Sequence, residues 1–190
     1  MEIVKSVFEE AKIIKTVSRT DNRGPMRVHG GDGEFKAVSI DFVPREIRTY
    51  SMPRTGTFFG IHFQTHERPG AKLVSIISGR GIDYIVDLRH DSPTYFRWEA
   101  VELSSDNNLM TYIPTGFGHG FLSTSDDVIM LYQTNFHGGK GVTGRLNYRE
   151  SSVGLSFPIM ITEIADYDVE APFICDIESL QGSSIRERGR

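Results

Sequence analysis

Residues 82–88 read IDYIVDL, and the spacing of their apolar side chains decides the fold. Ile82, Tyr84, Val86 and Leu88 fall on one side of an extended chain, and Asp83, Ile85 and Asp87 fall on the other. A period of two marks a β-strand, because successive side chains of a strand point to opposite faces. Comparable short runs stand at 73–77 (LVSII), 97–103 (RWEAVEL), 110–113 (MTYI) and 128–134 (VIMLYQT). They are separated by SGRG (78–81), RHDSP (89–93), SSDNN (104–108), TGFGHG (115–120) and SDD (125–127), all rich in turn-forming residues. Short strands at this spacing predict an all-β sandwich or barrel, with 19 glycines to serve its corners. Residues 1–57 are less patterned, DNRGPM (21–26) reads as a turn, and 154–172 predicts loops with one short helix. No repeat or linker divides the chain. A single domain over residues 1–180 is expected, with QGSSIRERGR (181–190) as a mobile polar tail.

Composition narrows the function classes. The formal net charge is −4, which argues against non-specific nucleic-acid binding and requires local cations for any anionic ligand. No run approaches the ~18 apolar residues of a membrane span, and the N-terminus carries no apolar leader pattern. The lone Cys175 leaves no intrachain disulfide to form. A cytoplasmic protein without membrane contact is therefore expected.

FFGIHFQTHERPGAK (58–72) raises the functional question. In its strand, Ile61 and Phe63 share one face, and His62 and Gln64 share the other. A strand histidine can be a structural spacer, a metal ligand or a base. A second histidine stands in IPTGFGHGF (113–121), where Pro114, Gly116 and His119 form Pro-x-Gly-x-x-His. That pattern resembles the second motif of cupins, small jelly-roll barrels whose motif histidine points inward. The first cupin motif carries His-x-His and a glutamate; here it reads His62-Phe63-Gln64. Metal binding needs three or four converging donors, and His62 and His119 are two good ones with Gln64 a poor third. Glu67 is a further candidate, beside the competing cation of Arg68. No metal is expected.

A wider set of motifs resembles the dTDP-4-dehydrorhamnose 3,5-epimerase family. It comprises GIHFQ (60–64), AKLV (71–74), VDLR (86–89), SPT (92–94), VELS (101–104), YIPTGFGHGF (112–121), MLYQTN (130–135), VGLSFP (153–158) and DVEAP (168–172), in order. DNRG (21–24) adds a looser match. The resemblance implies a cupin-like jelly-roll homodimer, free of metal and cofactor, that acts on a nucleotide-linked 4-keto-6-deoxy sugar. It implies His62 as general base, Asp168 as its orienting partner and Tyr132 as proton donor on the opposite sugar face. Lys72 and His119 would line the pocket near the keto oxygen. Gln64 and Arg145 would contact substrate.

The residue types suit that chemistry. A C–H bond beside a ketone is acidic because its electron pair delocalises onto the keto oxygen. A neutral imidazole takes that proton near neutral pH, and a carboxylate on its second nitrogen fixes the tautomer. A lysine ammonium stabilises the enolate, and a phenol is a competent acid. Singly, each has an ordinary reading: Tyr132 as a half-buried aromatic, Lys72 as a strand-entry charge, Asp168 as one surface acid among Asp166, Glu163 and Glu170. Two departures stand out. Phe59 occupies the place of the arginine that in the family contacts the nucleotide end, leaving Arg23, Arg54 or Arg145 to replace it. Asn135-Phe136-His137 stands where a tyrosine pair is usual. Outside epimerisation, the same pattern allows a keto-sugar isomerase, a non-catalytic nucleotide-sugar binder or a metal-binding cupin.

Overall fold

The computed structural model describes residues 1–64, 69–138 and 143–174. Its N-terminal strands are β1 (Glu2–Val7), β2 (Ala11–Lys15), β3 (Val17–Asp21) and β4 (Gly24–Val28), followed by helix α1 (Asp32–Ala37). Next come β5 (Glu46–Met52), β6 (Thr57–Phe63), β7 (Lys72–Ser78), β8 (Arg80–Asp87), β9 (Trp98–Ser104) and β10 (Leu109–Ile113). The chain continues through β11 (Phe117–Ser123), β12 (Val128–Thr134), β13 (Gly144–Arg145), β14 (Glu163–Ile164) and helix α2 (Asp166–Val169).

Two sheets face each other. The first runs β1-β2-β10-β7-β12-β5, and the second runs β13-β6-β11-β8-β9 with β14 parallel on β6. The crossing order of sequence-distant strands is that of the expected all-β jelly roll. All five strands read from the periodicity are present, each within two residues of its expected bounds. The weakly patterned N-terminal third adds more strands, including the β3–β4 hairpin, whose turn at residues 22–23 is tighter than the anticipated DNRGPM (21–26) because Gly24, Pro25 and Met26 already belong to β4.

Hydrophobic residues form three layers. Between the sheets, Val74, Ile76, Val128 and Met130 meet Ile85, Val101, Leu103, Phe117 and Phe121. Outside the first sheet, Phe35, Ile40 and Phe42 cover Ile14, Leu73 and Met110. Outside the second, the segment after β13 lays Leu146 and Val153, with Tyr148 and Phe157, over Phe58, Tyr84, Val86 and Leu122. Strand β8 is thus buried on both faces. Tyr84 and Val86 enter the outer layer, while Asp83 and Asp87 point inward at zero exposure. Its alternation separates apolar from charged side chains within the interior rather than core from solvent.

An inward carboxylate is tolerable only with partners, since burial of an unpaired charge is severely unfavourable. Asp87 has a full set. Its Oδ1 accepts from the backbone N–H (3.0 Å) and Nε (2.9 Å) of Arg89. Its Oδ2 accepts from Arg89 Nη2 (2.7 Å), Ser92 Oγ (2.6 Å) and Thr94 Oγ1 (2.5 Å). The Arg89 guanidinium lies 4.5 Å from the Phe117 ring centroid. The VDLR and SPT motifs are therefore one architectural clasp. Burial alone would push the Asp87 carboxyl up, but the hydrogen bonds from Arg89, Ser92 and Thr94 outweigh it and hold the pKa at about 2. Because the folded value lies below the ordinary 3.8, this stabilisation is complete above pH ~4 and drains away as pH falls toward ~2. Asp87→Asn should cost about 3 kcal/mol in urea unfolding at neutral pH, with the deficit shrinking in acid.

Candidate active site

Strands β6 and β11 are antiparallel, with His62 directly opposite His119. They approach closely at Gly60, where a Cβ would lie 2.7 Å from both the Gly120 Cα and the His119 carbonyl oxygen, and where φ is +124°. Only glycine suits that position. Thus GIH places the histidine two residues beyond an obligatory close contact.

Asp168 reaches the same point from α2. Its Oδ1 lies 2.7 Å from His62 Nε2, and its Oδ2 accepts the Gly60 N–H at 3.2 Å. One carboxylate therefore fixes both the strand and the imidazole. Asn147 holds the segment in turn, donating to the Val169 (3.0 Å) and Ala171 (2.9 Å) carbonyls. With Nε2–H given to Asp168, the lone pair of Nδ1 is the basic site. Burial lowers the His62 pKa below its ordinary 6.5; Asp168 opposes this in part, and Lys72 and His119 reinforce it. His62 is therefore neutral at physiological pH, the state a base requires.

Lys72, first residue of β7, is 2% exposed, and its Nζ crosses between the sheets to donate to the His62 carbonyl at 2.9 Å. Burial pulls this ammonium down to a pKa of about 7, with Asp83 acting in the opposite sense. His119 Nε2 lies 2.5 Å from Asp83 Oδ1, whose Oδ2 accepts from Thr111 Oγ1 at 2.5 Å. A second His–Asp pair thus sits fully inside the sandwich. Tyr132 packs against His119, their ring centroids 5.8 Å apart. Burial raises the Tyr132 phenol well above its ordinary 10, Tyr50 adds to this and Arg48 opposes it.

The remaining expected residues divide. Phe59 joins an aromatic wall, its ring 5.2 Å from Tyr50, which is 5.6 Å from Tyr132. Gln64 is buried and donates to Thr143 Oγ1 at 3.1 Å. Arg145 stands opposite His62 across the β13–β6 pairing, half-exposed. Arg23 stands apart, at the tip of the exposed β3–β4 hairpin, where it pairs with Asp21 at 2.7 Å. Arg54 pairs with Glu163 beyond the Thr57 end of β6, away from His62. Glu67 and the 181–190 tail lie outside the described residues. Among the described residues no three His, Cys, Asp or Glu side chains gather as a metal site, and each site histidine is engaged by its own carboxylate.

Sequence reasoning missed Asp83, Tyr167, and the Arg48–Tyr50 pair beside Tyr132, where Arg48 Nη1 donates to Tyr50 Oη at 3.3 Å and Nε bonds Glu46. Asp83 stood in plain view as an acid of IDYIVDL, but the alternation does not say that its face turns inward, where the carboxylate meets His119, whose register partner is Ile85. Tyr167 and Arg48 sit in weakly patterned segments that offered no signal.

A two-sheet β-sandwich with a carboxylate-backed imidazole, a buried lysine and a buried phenol at one end defines a proton-transfer site. Comparison with known proteins gives the family. The profile for dTDP-4-dehydrorhamnose 3,5-epimerase matches residues 5–176. The chain is 31% identical over 175 residues to the dTDP-4-dehydrorhamnose 3,5-epimerase of Salmonella typhimurium, covering 92% of this chain and 96% of that one. It is 30% identical over 161 residues to the one of Neisseria gonorrhoeae; there it covers 84% of its own length and only about half, 48%, of the relative. The fold matches a crystal structure of a 3'-monoepimerase from Streptomyces bikiniensis in complex with dTDP-quinovose. That match has a TM-score of 0.82 and 28% identity, and covers 90% of this chain and 87% of that one. This chain belongs to the dTDP-4-dehydrorhamnose 3,5-epimerase family.

The balance of burial against Asp168 has a measurable consequence. In an NMR titration the His62 imidazole should titrate below pH 6.5, and Asp168→Asn should lower the midpoint further by removing the opposing charge.

Proposed function

We propose that the protein is a cofactor-independent epimerase of a nucleotide-linked 4-keto-6-deoxy sugar, inverting C3, or C3 and C5, in deoxysugar biosynthesis. The observation that carries this reading is the His62–Asp168 pair set beside a buried Lys72, with Tyr132 on the opposing sheet. His62 Nδ1 takes the proton from the carbon next to the ketone. The C–H electron pair moves into the carbonyl, giving an enolate. The Lys72 ammonium receives that negative charge, a contribution of about 3–4 kcal/mol to the transition state if it acts like other oxyanion donors. Tyr132 then delivers its proton to the other face of the same carbon, the carbonyl re-forms, and solvent restores both side chains. Atoms and electrons balance without an oxidant or reductant. His119, held by Asp83, lines the pocket; Gln64 and Phe59 bound it, and Arg145 offers a cation to the phosphates.

The relatives' names make a dTDP-linked sugar the first substrate to try. The protein acts in this reading as a cytoplasmic homodimer. In support, Ile47 (61% exposed), Ile77 (44%) and Met26 (48%) leave the first sheet and its adjoining hairpin with apolar surface. Arg23 at the hairpin tip would reach substrate only across such an interface.

Incubation with dTDP-4-keto-6-deoxyglucose in heavy water should incorporate deuterium at C3, or at C3 and C5, as read by NMR and mass spectrometry. Absence of exchange with dTDP-, GDP- and CDP-linked substrates alike rules the reading out. His62→Asn should abolish exchange, whereas Tyr132→Phe should retain exchange and lose net inversion. The rate rises with pH as His62 loses its proton, below 6.5, and falls as Lys72 loses its own, near 7. Lys72→Arg should remove the alkaline limb while leaving the acid limb in place.

A further inference from the structure

Asp168 Oδ1 has two cationic or potentially cationic neighbours. His62 Nε2 is bonded to it at 2.7 Å, and Arg145 Nε waits at 4.0 Å. An arginine–carboxylate bond forms at about 2.8 Å, so a shift of roughly 1 Å would bring Arg145 into direct competition with the base. Arginine is the stronger claimant, since it is always charged and its planar fork suits a carboxylate. What occupies the guanidinium instead is Tyr167: the Arg145 Cζ lies 4.7 Å from that ring's centroid. The same ring stacks on His62, with centroids 6.3 Å apart and planes 28° from parallel. Tyr167 immediately precedes Asp168 in α2, so one turn of backbone sets ring and carboxylate together. The ring is 49% exposed, and core packing does not explain it.

We propose that Tyr167 is a positioning residue that holds Arg145 off Asp168 and keeps that carboxylate for His62. The ring's negative face gives the guanidinium an alternative seat, and its contact with His62 limits rotation of the imidazole away from its partner. Arg145 is thereby kept over the ring, available to an anionic substrate, without weakening the base. The kinetic part of this inference rests on the epimerase reading; the spectroscopic part does not.

Two measurements on Tyr167→Ala, Tyr167→Phe and Tyr167→Ala/Arg145→Gln test it. The first is the low-field proton resonance of the His62 Nε2–H bond to Asp168, observed in the substrate-free protein. It should be present in the wild type and in Tyr167→Phe, lost or moved upfield in Tyr167→Ala, and restored in the double variant. The second is kcat for deuterium exchange. Tyr167→Ala should lower it about tenfold, the scale of a lost cation–π contact, with KM little changed. Adding Arg145→Gln should recover most of kcat while raising KM, a gain on a second loss that simple structural damage does not produce. Tyr167→Leu, which keeps apolar cover but has no ring, should match Tyr167→Ala and controls for folding. An unshifted resonance and wild-type kcat in Tyr167→Ala overturn the proposal, as does a double variant no better than the single. A wild type inactive on every sugar nucleotide removes the epimerase reading, and the resonance alone then decides the role of Tyr167.

Discussion

A charged side chain can live inside a β-sandwich only if the fold supplies partners for it, and this structure is organised around that requirement. Asp87, Asp83, Asp168 and Lys72 are all at 2% exposure or less. Each is met by groups from a different part of the chain: Asp87 by the loop that follows β8, Asp83 by β10 and β11, Asp168 by β6, Lys72 by the backbone of the facing sheet. Only the first of these arrangements is purely architectural. The other three concentrate at one end of the sandwich, where low dielectric shifts His62 and Lys72 away from their ordinary titration ranges. Stability and reactivity draw on the same burial.

The sequence made the strands legible because their period-two pattern survives whatever covers each face. It made His62, His119, Lys72, Tyr132 and Asp168 legible through ordered motifs, and the structure brings these together. It did not reveal which face of IDYIVDL turned inward. Periodicity separates apolar from polar side chains, and a sheet covered on both sides reverses the usual inference that polar means solvent. The first 57 residues were harder because β1 and β3 expose most of their side chains and β4 buries none, so they carry little alternation. Tyr167 and Arg48 were out of reach for another reason: their importance lies in distances across elements, which no local pattern encodes.

Phe59 stands where the motif resemblance led to the expectation of an arginine. A guanidinium at that place would stand among Tyr50 and Tyr132. A phenylalanine there continues an edge-to-face aromatic wall instead, an arrangement favourable to packed rings. Arg48 meanwhile enters the same neighbourhood from β5, anchored by Glu46, whose carboxyl it holds at a pKa of about 2. A cation thus stands beside Tyr50, whose ring packs on Tyr132.

The bond between His62 and Asp168 spans 106 residues of chain. During synthesis the histidine leaves the ribosome long before its partner exists, and the strand that bears it lacks the carboxylate that anchors Gly60. A chain ended between Ile164 and Asp168 carries every strand of both main sheets and an imidazole without its carboxylate partner. In this arrangement the imidazole gains its carboxylate partner only after the strands that hold it have been laid down.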